Sequence, residues 1–323
     1  MEFTQAALNI DPAVEAERIV QTLRHEVRKV MRHGGAVVGI SGGVDSAVVF
    51  ALCVRAFGPE KVVALILPDQ DSSPDSERLA RKLAAQFGVT PTLENITAAL
   101  EGFGCYRRRD EAVRRVFPEY DASAGYRVKI VLPQNLLDED TLNAFLVTIV
   151  LPHGAELTKP LPVREFLQIV AASNFKQRAR MSMLYYHAET RNYAVVGTAN
   201  KNEHALGFFV KYGDGGADLQ LLAHLYKTQV YQLARYLDVP AEIQSRTPTT
   251  DTYPGAGSQE EFFYRIPFDL LDTIWLGHER GLPTEQIAAA LGLAPEQVER
   301  VIADIASKQR ATAYLRLPVL EVT

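Results

Sequence analysis

Cysteine is scarce in this chain of 323 residues, which contains only Cys53 and Cys105. The two are far apart and form no Cys-x-x-Cys pair, which argues against a disulfide framework and a structural zinc site. The seven histidines show no metal-ligand spacing either. A reducing compartment fits this composition best, and we expect the protein to be cytoplasmic.

Long apolar runs are also missing. No stretch approaches the roughly 20 apolar residues of a membrane-spanning helix, and the N-terminus lacks the layout of a signal peptide. The net charge of −5 and the pI near 5.9 argue against a basic surface for nucleic acid. With 47% hydrophobic and 23% charged residues, the composition is that of a globular protein that binds neither membranes nor nucleic acid.

The apolar pattern predicts the fold class. Strands are expected at residues 37–40, 62–67, 193–196 and near 89–96. Their apolar runs are mostly continuous rather than alternating, which is typical of parallel strands covered on both faces. Helices are expected at residues 45–57 and 74–87. The sequence therefore predicts an α/β fold with a doubly wound, mainly parallel sheet.

Two regions depart from this rhythm, although we expect residues 1–323 to form a single domain. Residues 97–170 are predicted to be an insertion, in which two similar apolar runs at 128–133 and 147–152 indicate a pair of strands. The chain is then expected to be helical from 162 to 186. Residues 260–323 are predicted to form a helical C-terminal region of several short helices.

A glycine-rich turn joins the first strand to its helix, with the sequence Ser41-Gly42-Gly43-Val44-Asp45-Ser46. Glycines let the backbone approach an anion, two hydroxyls add donors, and the helix N-terminus is positive. No lysine follows, as a Walker A loop requires, and the glycines lack the dinucleotide spacing. The expected phosphate-binding residues are Gly39, Ser41, Gly42, Gly43, Asp45 and Ser46.

A second turn is expected to face this loop. Residues 197–203 follow the strand at 193–196 and have the sequence Gly-Thr-Ala-Asn-Lys-Asn-Glu. In open parallel sheets, the ligand crevice lies beyond the carboxyl ends of the strands. Thr198 and Glu203 should therefore lie close to the loop at residues 41–46.

Five motifs in order resemble those of the NAD synthetases, a family of N-type ATP pyrophosphatases. The first is the loop at residues 41–46. The others are N-x-x-x-R-x-R-M at 174–181, G-T-x-N-x-x-E at 197–203, K-Y-G-D-G-G-x-D at 211–218 with a later lysine at Lys227, and P-T-T-D at 248–251. The resemblance implies an adenine nucleotide alpha hydrolase-like fold.

The resemblance also implies a reaction that forms a C–N bond. ATP and nicotinic acid adenine dinucleotide (deamido-NAD) would give an adenylated carboxylate and pyrophosphate, and ammonia would then displace AMP to leave NAD. Some relatives make ammonia from glutamine with a fused domain, for which this chain is too short. Free ammonia or a separate glutaminase is therefore expected. Relatives form homodimers, and we expect the same here.

The matched residues suit that chemistry. Asp45 and Glu203 can hold Mg²⁺, which prefers one or two carboxylates together with phosphate oxygens. Lys227 can neutralise charge on the phosphates, and Thr249 can donate a hydroxyl to pyrophosphate. The catalytic set is thus Asp45, Lys227, Asp214 and Thr249, and Thr198 joins the ATP-binding set. The resemblance implies an acceptor set of Asn174, Arg178, Arg180, Lys211, Asp214 and Asp218, with Asp214 near the incoming ammonia.

Several differences from the family pattern leave the identity of the acceptor acid open. Residues 103–170 are longer than the corresponding stretch of relatives, and Leu221 stands in place of a usual proline. Relatives close the site with His-Lys-Arg near the C-terminus, where this chain has Ser-Lys-Gln-Arg, so Lys308 is a candidate for that role. The alternative hypothesis is an amide ligase that adenylates a different carboxylic acid. A nucleotide-binding subunit without turnover is a third hypothesis, which the retained catalytic set disfavours.

Overall fold

The structure is a computed structural model that describes residues 3–132, 136–137, 145–248 and 259–321. Within these residues, the strands in chain order are β1 (Ala36–Gly39), β2 (Val62–Ile66), β3 (Thr92–Leu93), β4 (Arg127–Val131), β5 (Leu146–Val150), β6 (Glu156–Pro160), β7 (Ala194–Gly197) and β8 (Leu219–Gln220).

The helices of the same residues are α1 (Pro12–His25), α2 (Val44–Phe57), α3 (Pro74–Gln86), α4 (Thr97–Gly102), α5 (Cys105–Val116), α6 (Val163–Glu189), α7 (Lys201–Leu206), α8 (Lys227–Tyr236), α9 (Ala241–Gln244), α10 (Phe268–Glu279), α11 (Thr284–Leu291) and α12 (Pro295–Ala311). A π-helical turn, Glu260–Tyr264, precedes α10. No helix among the described residues has both the length and the apolar character needed to cross a bilayer.

The central sheet has five parallel strands in the order β3-β2-β1-β7-β8. The chain proceeds outward from β1 through β2 to β3, and then resumes on the other side of β1 with β7. The order therefore reverses between β1 and β7, which is where open α/β sheets bind ligands. The predicted doubly wound parallel sheet is confirmed.

Alternate residues of the strands face two different cores. In β1, Ala36 and Val38 pack with α1, α2, α3 and α8, whereas Val37 packs with residues of α4, α5 and α6. Burial on both faces explains why the strands are apolar without alternation.

The strand expected near residues 89–96 is much shorter than predicted. Only Thr92–Leu93 pairs with β2 as a strand. Pro91 has no backbone N–H to donate to a ladder, which is consistent with so short an edge strand.

The insertion contains the predicted pair of strands and a third one. β4 and β5 pair antiparallel, and β6 adds to β5 in the same way. Val128, Ile130, Val147 and Ile149 bury one face of this sheet against α5 and α6. The sequence did not predict β6 because all five of its residues are exposed, so it lacks the apolar pattern of a strand.

The predicted helical C-terminal region is confirmed as α10, α11 and α12. Its core holds Trp275, Ile287, Val298 and Val301. Leu136 of the insertion is buried in the same core, and its N–H donates to the carbonyl of Arg265 at 3.2 Å. The insertion thus reaches the C-terminal region.

Candidate active site

The phosphate-binding loop has the predicted strand, turn and helix context, between β1 and α2. Its hydroxyls are organised: Ser41 Oγ and Ser46 Oγ share a hydrogen bond of 3.2 Å, and Ser46 Oγ donates to the carbonyl of Gly43 at 3.0 Å. Gly42 has φ of +75°, and a Cβ there would lie 2.7 Å from the carbonyl oxygen of Ser76. Only glycine fits this turn without strain.

An arginine that no motif singled out braces this loop. The guanidinium of Arg246 donates to the carbonyl of Gly42 at 3.4 Å and to Ser76 Oγ at 2.9 Å. Arg246 thereby joins the loop to the start of α3. Arg246 lies two residues before the last motif, which begins at Pro248. This position is the only feature of the sequence that could have indicated its role.

Asp45 and Lys227 meet at the switch point of the sheet. The Lys227 ammonium donates to Asp45 Oδ2, and Asn200 Nδ2 donates to Asp45 Oδ1 at 3.0 Å. Burial alone would lower the pKa of Lys227, but the carboxylates of Asp45 and Glu203 outweigh it and raise that pKa. Lys227 is therefore a buried, permanently charged ammonium at neutral pH.

Glu203 is linked to Asp45 through Asn200, with which it forms a capping box. Its N–H donates to Asn200 Oδ1 at 3.0 Å, and its carboxylate accepts from the Asn200 N–H at 3.1 Å. Gln259 Nε2 donates to the other carboxylate oxygen at 3.4 Å. Desolvation and the charge of Asp45 raise the pKa of Glu203 to about 8. Glu203 is therefore mostly protonated at neutral pH, and a cation between the two carboxyl groups would favour its ionised form.

The donor set around these carboxylates fits Mg²⁺. No group of three or more His, Cys, Asp or Glu side chains that could hold a metal occurs in the described part of the chain. Mg²⁺ does not need one, because it binds through one or two carboxylates, waters and substrate phosphates. Gln259 Oε1 is buried and lacks a hydrogen-bond partner among the described residues, so a third oxygen is available near Glu203.

The N-terminus of α8, which carries Lys227, is held by side chains from two other helices. The Lys227 N–H donates to Asn202 Oδ1 at 3.2 Å. Asn202 Nδ2 donates to Asp272 Oδ1 at 2.6 Å, and Thr228 donates to Asp272 Oδ2 through its N–H at 2.9 Å and its hydroxyl at 2.8 Å. Burial raises the pKa of Asp272 to about 6. No motif pointed to Asn202 or Asp272.

The proposed acceptor loop lies beside α6. Asp214 Oδ1 accepts from the N–H of Val210 at 2.7 Å, and burial raises the pKa of this carboxyl to about 6. The Lys211 ammonium donates to the carbonyls of Tyr314 and Leu317 at 3.1 and 3.0 Å. The exposed Arg178 touches the loop through the Lys211 carbonyl, at 3.3 Å. The loop, α6 and the C-terminal segment thus meet here.

Arg180 is less available than the sequence suggests. Its guanidinium donates to Asp69 Oδ2 at 2.9 Å and to the Leu67 carbonyl at 3.0 Å. Asp69 also pairs with Lys176 at 3.2 Å and is fully buried. Asp69 and Lys176 belong to a buried charge cluster that continues through Asp71 to Arg109 of the insertion. Arg180 therefore anchors the loop after β2.

Asp218 also has structural partners. Its carboxylate accepts from the Val195 N–H at 2.8 Å and from the Tyr185 hydroxyl at 2.9 Å, which ties the acceptor loop to β7 and α6. Asn174 and Thr198 are partly buried on α6 and just after β7. Thr249 lies outside the described residues.

Lys308 does not point to a lid. Its ammonium donates to Asp304 Oδ2 at 2.6 Å and to the Phe263 carbonyl at 2.7 Å. Burial lowers its pKa, although the Asp304 carboxylate opposes this shift. Lys308 thus anchors the π-helical turn before α10.

Comparison with known proteins identifies the family. The NAD synthase family model matches residues 15–120 and 155–312, which leaves out β4 and β5. The NH(3)-dependent NAD(+) synthetase of Mesorhizobium japonicum is 48% identical over 316 residues, or 98% of each chain.

Two solved structures have the same fold. The NH3-dependent NAD synthetase of Campylobacter jejuni, in complex with the nitrate ion, matches with a TM-score of 0.62 at 22% identity, over 97% of this chain and 100% of that one. An NMN synthetase from Francisella tularensis matches with a TM-score of 0.61, also at 22% identity, over 97% and 99%. The family match spans most of the chain, and identity to a curated relative extends along nearly all of it, so the chain belongs to the NAD synthase family.

Proposed function

We propose that this chain is a ligase that converts deamido-NAD to NAD, using ATP to adenylate the carboxylate and ammonia to displace AMP. One observation carries the proposal. Asp45, Lys227 and Glu203 converge beside the phosphate-binding loop at the switch point of the sheet, in a chain of the NAD synthase family.

The ATP half of the reaction uses the loop and the cluster beside it. Backbone N–H groups and the hydroxyls of Ser41 and Ser46 bind pyrophosphate at the N-terminus of α2. The ammonium of Lys227 is held next to the phosphates, where it offsets the charge that develops as the α-phosphorus is attacked. Since two anions must approach each other, this gathered positive charge is the main requirement of adenylation.

Asp45 and Glu203 are the residues that would hold Mg²⁺, with Gln259 Oε1 as a further oxygen. Desolvation and the charge of Asp45 oppose ionisation of Glu203, so a divalent cation beside both carboxyl groups is electrostatically favoured. When bound, Mg²⁺ supplies positive charge to the phosphate oxygens. Asn200 positions both carboxyl groups, because its side-chain amide donates to Asp45 and its backbone N–H donates to the Glu203 side chain.

The acceptor half is assigned to the loop that carries Lys211 and Asp214. Lys211 and Arg178 offer positive charge to the acid or to its phosphates. The carboxyl of Asp214, with its pKa near 6, is ionised at neutral pH and can accept a proton from ammonium or from the attacking nitrogen. Asn174 lies on the same helix as Arg178.

We also propose the partners and the setting of this reaction. Free ammonia is the nitrogen source, directly or from a separate glutaminase. A second copy of the chain binds the first to form a homodimer. Cys53 and Cys105 are unpaired and buried, which suits a reducing cytoplasm.

The test is a comparison of acceptors. Purified protein with ATP, Mg²⁺ and ammonium is given deamido-NAD, nicotinic acid mononucleotide or no acid, and pyrophosphate and amide products are measured. We expect equal amounts of pyrophosphate and NAD with deamido-NAD only. The fold shared with an NMN synthetase makes the mononucleotide the sharpest alternative. Preference for it, or for another acid, would establish the altered-acceptor ligase instead.

A further inference from the structure

A buried carboxylate outside every motif sits behind the catalytic lysine. Asp272 lies on α10, in the C-terminal helical region, and is fully buried. Its two oxygens accept three hydrogen bonds, one from Asn202 of α7 and two from Thr228 of α8. Burying a charge is costly unless it is well bonded, so this arrangement needs an explanation.

We propose that Asp272 is a positioning residue for Lys227, acting through Asn202 and the first turn of α8. The proposal rests on the role assigned to Lys227 above. Lys227 is the first residue of α8, so the placement of its ammonium follows directly from the placement of that helix end. Asp272 and Asn202 accept from the first two N–H groups of the helix, which have no partner within it.

The orientation of the Asn202 amide links Asp272 to Lys227. Its carbonyl oxygen accepts from the Lys227 N–H, and its amide nitrogen donates to Asp272. A carboxylate can only accept at neutral pH, so it permits one orientation of the Asn202 amide. Asp272 therefore selects the orientation in which Asn202 bonds the backbone of the catalytic lysine.

The same contacts join the two helices that carry Glu203 and Lys227, α7 and α8. Asn202 immediately precedes Glu203 on α7, and Thr228 immediately follows Lys227 on α8. One anion of α10 thus bonds to both helices, at residues adjacent to Glu203 and to Lys227. A negative charge at the N-terminus of α8 is also favourable to its dipole.

The substitution that tests this is Asp272→Asn, which keeps the shape of the side chain. The oxygen of the new amide can keep the two hydrogen bonds from Thr228, which leaves its nitrogen in place of Oδ1, facing the amide nitrogen of Asn202. Two donors cannot form a hydrogen bond with each other. Asn202 must then rotate and release the Lys227 N–H. Because the variant removes a buried charge, it need not be less stable than the wild type.

The control is Thr273→Val, one residue further along α10. Thr273 is equally buried, but its hydroxyl donates only to the Asp269 carbonyl within the same helix, at 2.7 Å. A general disturbance of α10 or of the C-terminal core would affect both variants alike. Only the Asp272 variant should affect α8.

The experiment measures kcat, KM for ATP, KM for the acid and the thermal unfolding midpoint of each full-length variant. We expect Asp272→Asn to lower kcat at least about tenfold, equivalent to about 1.4 kcal/mol in the barrier, with KM for the acid within about twofold. Thr273→Val should keep kcat within about twofold of the wild type whatever its unfolding midpoint. Equal kcat losses in both variants, or an unchanged kcat in Asp272→Asn, would overturn the proposal.

Three further variants separate this inference from the function it rests on. Asn202→Ala should reproduce the kcat loss, and the double variant Asp272→Asn, Asn202→Ala should be no worse than the more damaged single one, whereas additive losses would contradict a shared route. Lys227→Met should abolish turnover. If it did not, the role of Lys227 would fail; if it did while Asp272→Asn stayed fully active, only the positioning role would fail.

Discussion

The ammonium of the buried Lys227 and the carboxylate of the partly buried Asp45 form an ion pair between the first turns of α8 and α2. The two residues are distant in sequence, and each is held by a helix that starts at the carboxyl edge of the sheet. Their pairing brings together the phosphate-binding loop and the lysine that the proposed adenylation requires. Asp45 also accepts from Asn200, so it is fixed from two sides.

Breaking this pair should cost both stability and activity. Lys227→Met leaves the partly buried Asp45 without its counter-charge, which should lower the free energy of unfolding by about 2 kcal/mol. Chemical denaturation measures this loss. The double variant Asp45→Asn, Lys227→Met should recover most of the stability while remaining inactive. A double variant as unstable as the single one would show that the pair is not the source of the loss.

The phosphate-binding loop allows a matched pair of glycine substitutions. Gly42→Ala places a Cβ 2.7 Å from a backbone oxygen at a φ of +75°, whereas Gly43→Ala meets only the Ser41 hydroxyl, at 3.3 Å. We expect Gly42→Ala to raise KM for ATP and to lower stability by about 1 to 3 kcal/mol. Gly43→Ala should have a much smaller effect on stability. Steady-state kinetics and thermal unfolding check this, and equal effects would contradict the loop geometry.

Two arginines of one helix motif should behave differently. Arg178 is exposed and touches only the Lys211 carbonyl, whereas Arg180 bonds the buried Asp69. Arg178→Gln should therefore raise KM for the acid with little change in the unfolding midpoint. Arg180→Gln should lower stability by about 1.5 to 3 kcal/mol, as for lost hydrogen bonds to charged groups. If Arg180→Gln instead raised KM for the acid and Arg178→Gln did not, the acceptor would be placed at Arg180.

Asp214 should make stability depend on pH. Its folded-state pKa is raised from 3.8 to about 6 by burial, so the folded protein holds this proton more tightly than the unfolded chain does. The stabilising effect is complete below the unfolded pKa and is lost as pH rises through 6.

The variant Asp214→Asn keeps the oxygen that accepts from Val210 but cannot ionise. At about pH 4 it should be about as stable as the wild type. Its stability relative to the wild type should increase by about 2 kcal/mol as the pH rises from about 4 to about 6, and the difference should persist at higher pH. It should also lose turnover. Denaturation of both proteins at several pH values checks this, and a difference that does not vary with pH would contradict it.

Much of the fold could be predicted because burial leaves its pattern in the sequence. The strands covered on both faces, such as β1 and β2, are continuous apolar runs, and the glycine-rich loop between β1 and α2 has its own composition. β6 left no such pattern because its residues are exposed, and β3 is shortened beside Pro91.

The candidate site could be predicted only where residues form local motifs. Asp45, Glu203 and Lys227 converge because parallel strands end at one edge, which is a property of the fold class. Arg246 and Asp272 lie outside those motifs and reach the site through tertiary packing, so no local spacing marks them. Arg180 matched a motif position, yet its acidic partner Asp69 is distant in sequence and the motif does not specify it. The partner of Lys308, Asp304, lies one helical turn earlier on α12, so this pair could have been anticipated from the sequence.

The most direct test of the proposed adenylation is an isotope measurement. Deamido-NAD labelled with ¹⁸O in the nicotinate carboxylate is converted with ATP, Mg²⁺ and ammonium, and AMP is examined by mass spectrometry. If a carboxylate oxygen attacks the α-phosphorus and ammonia then displaces AMP, each AMP carries one ¹⁸O and each NAD keeps one. Unlabelled AMP formed together with NAD, or formation of ADP and phosphate instead, would contradict the account.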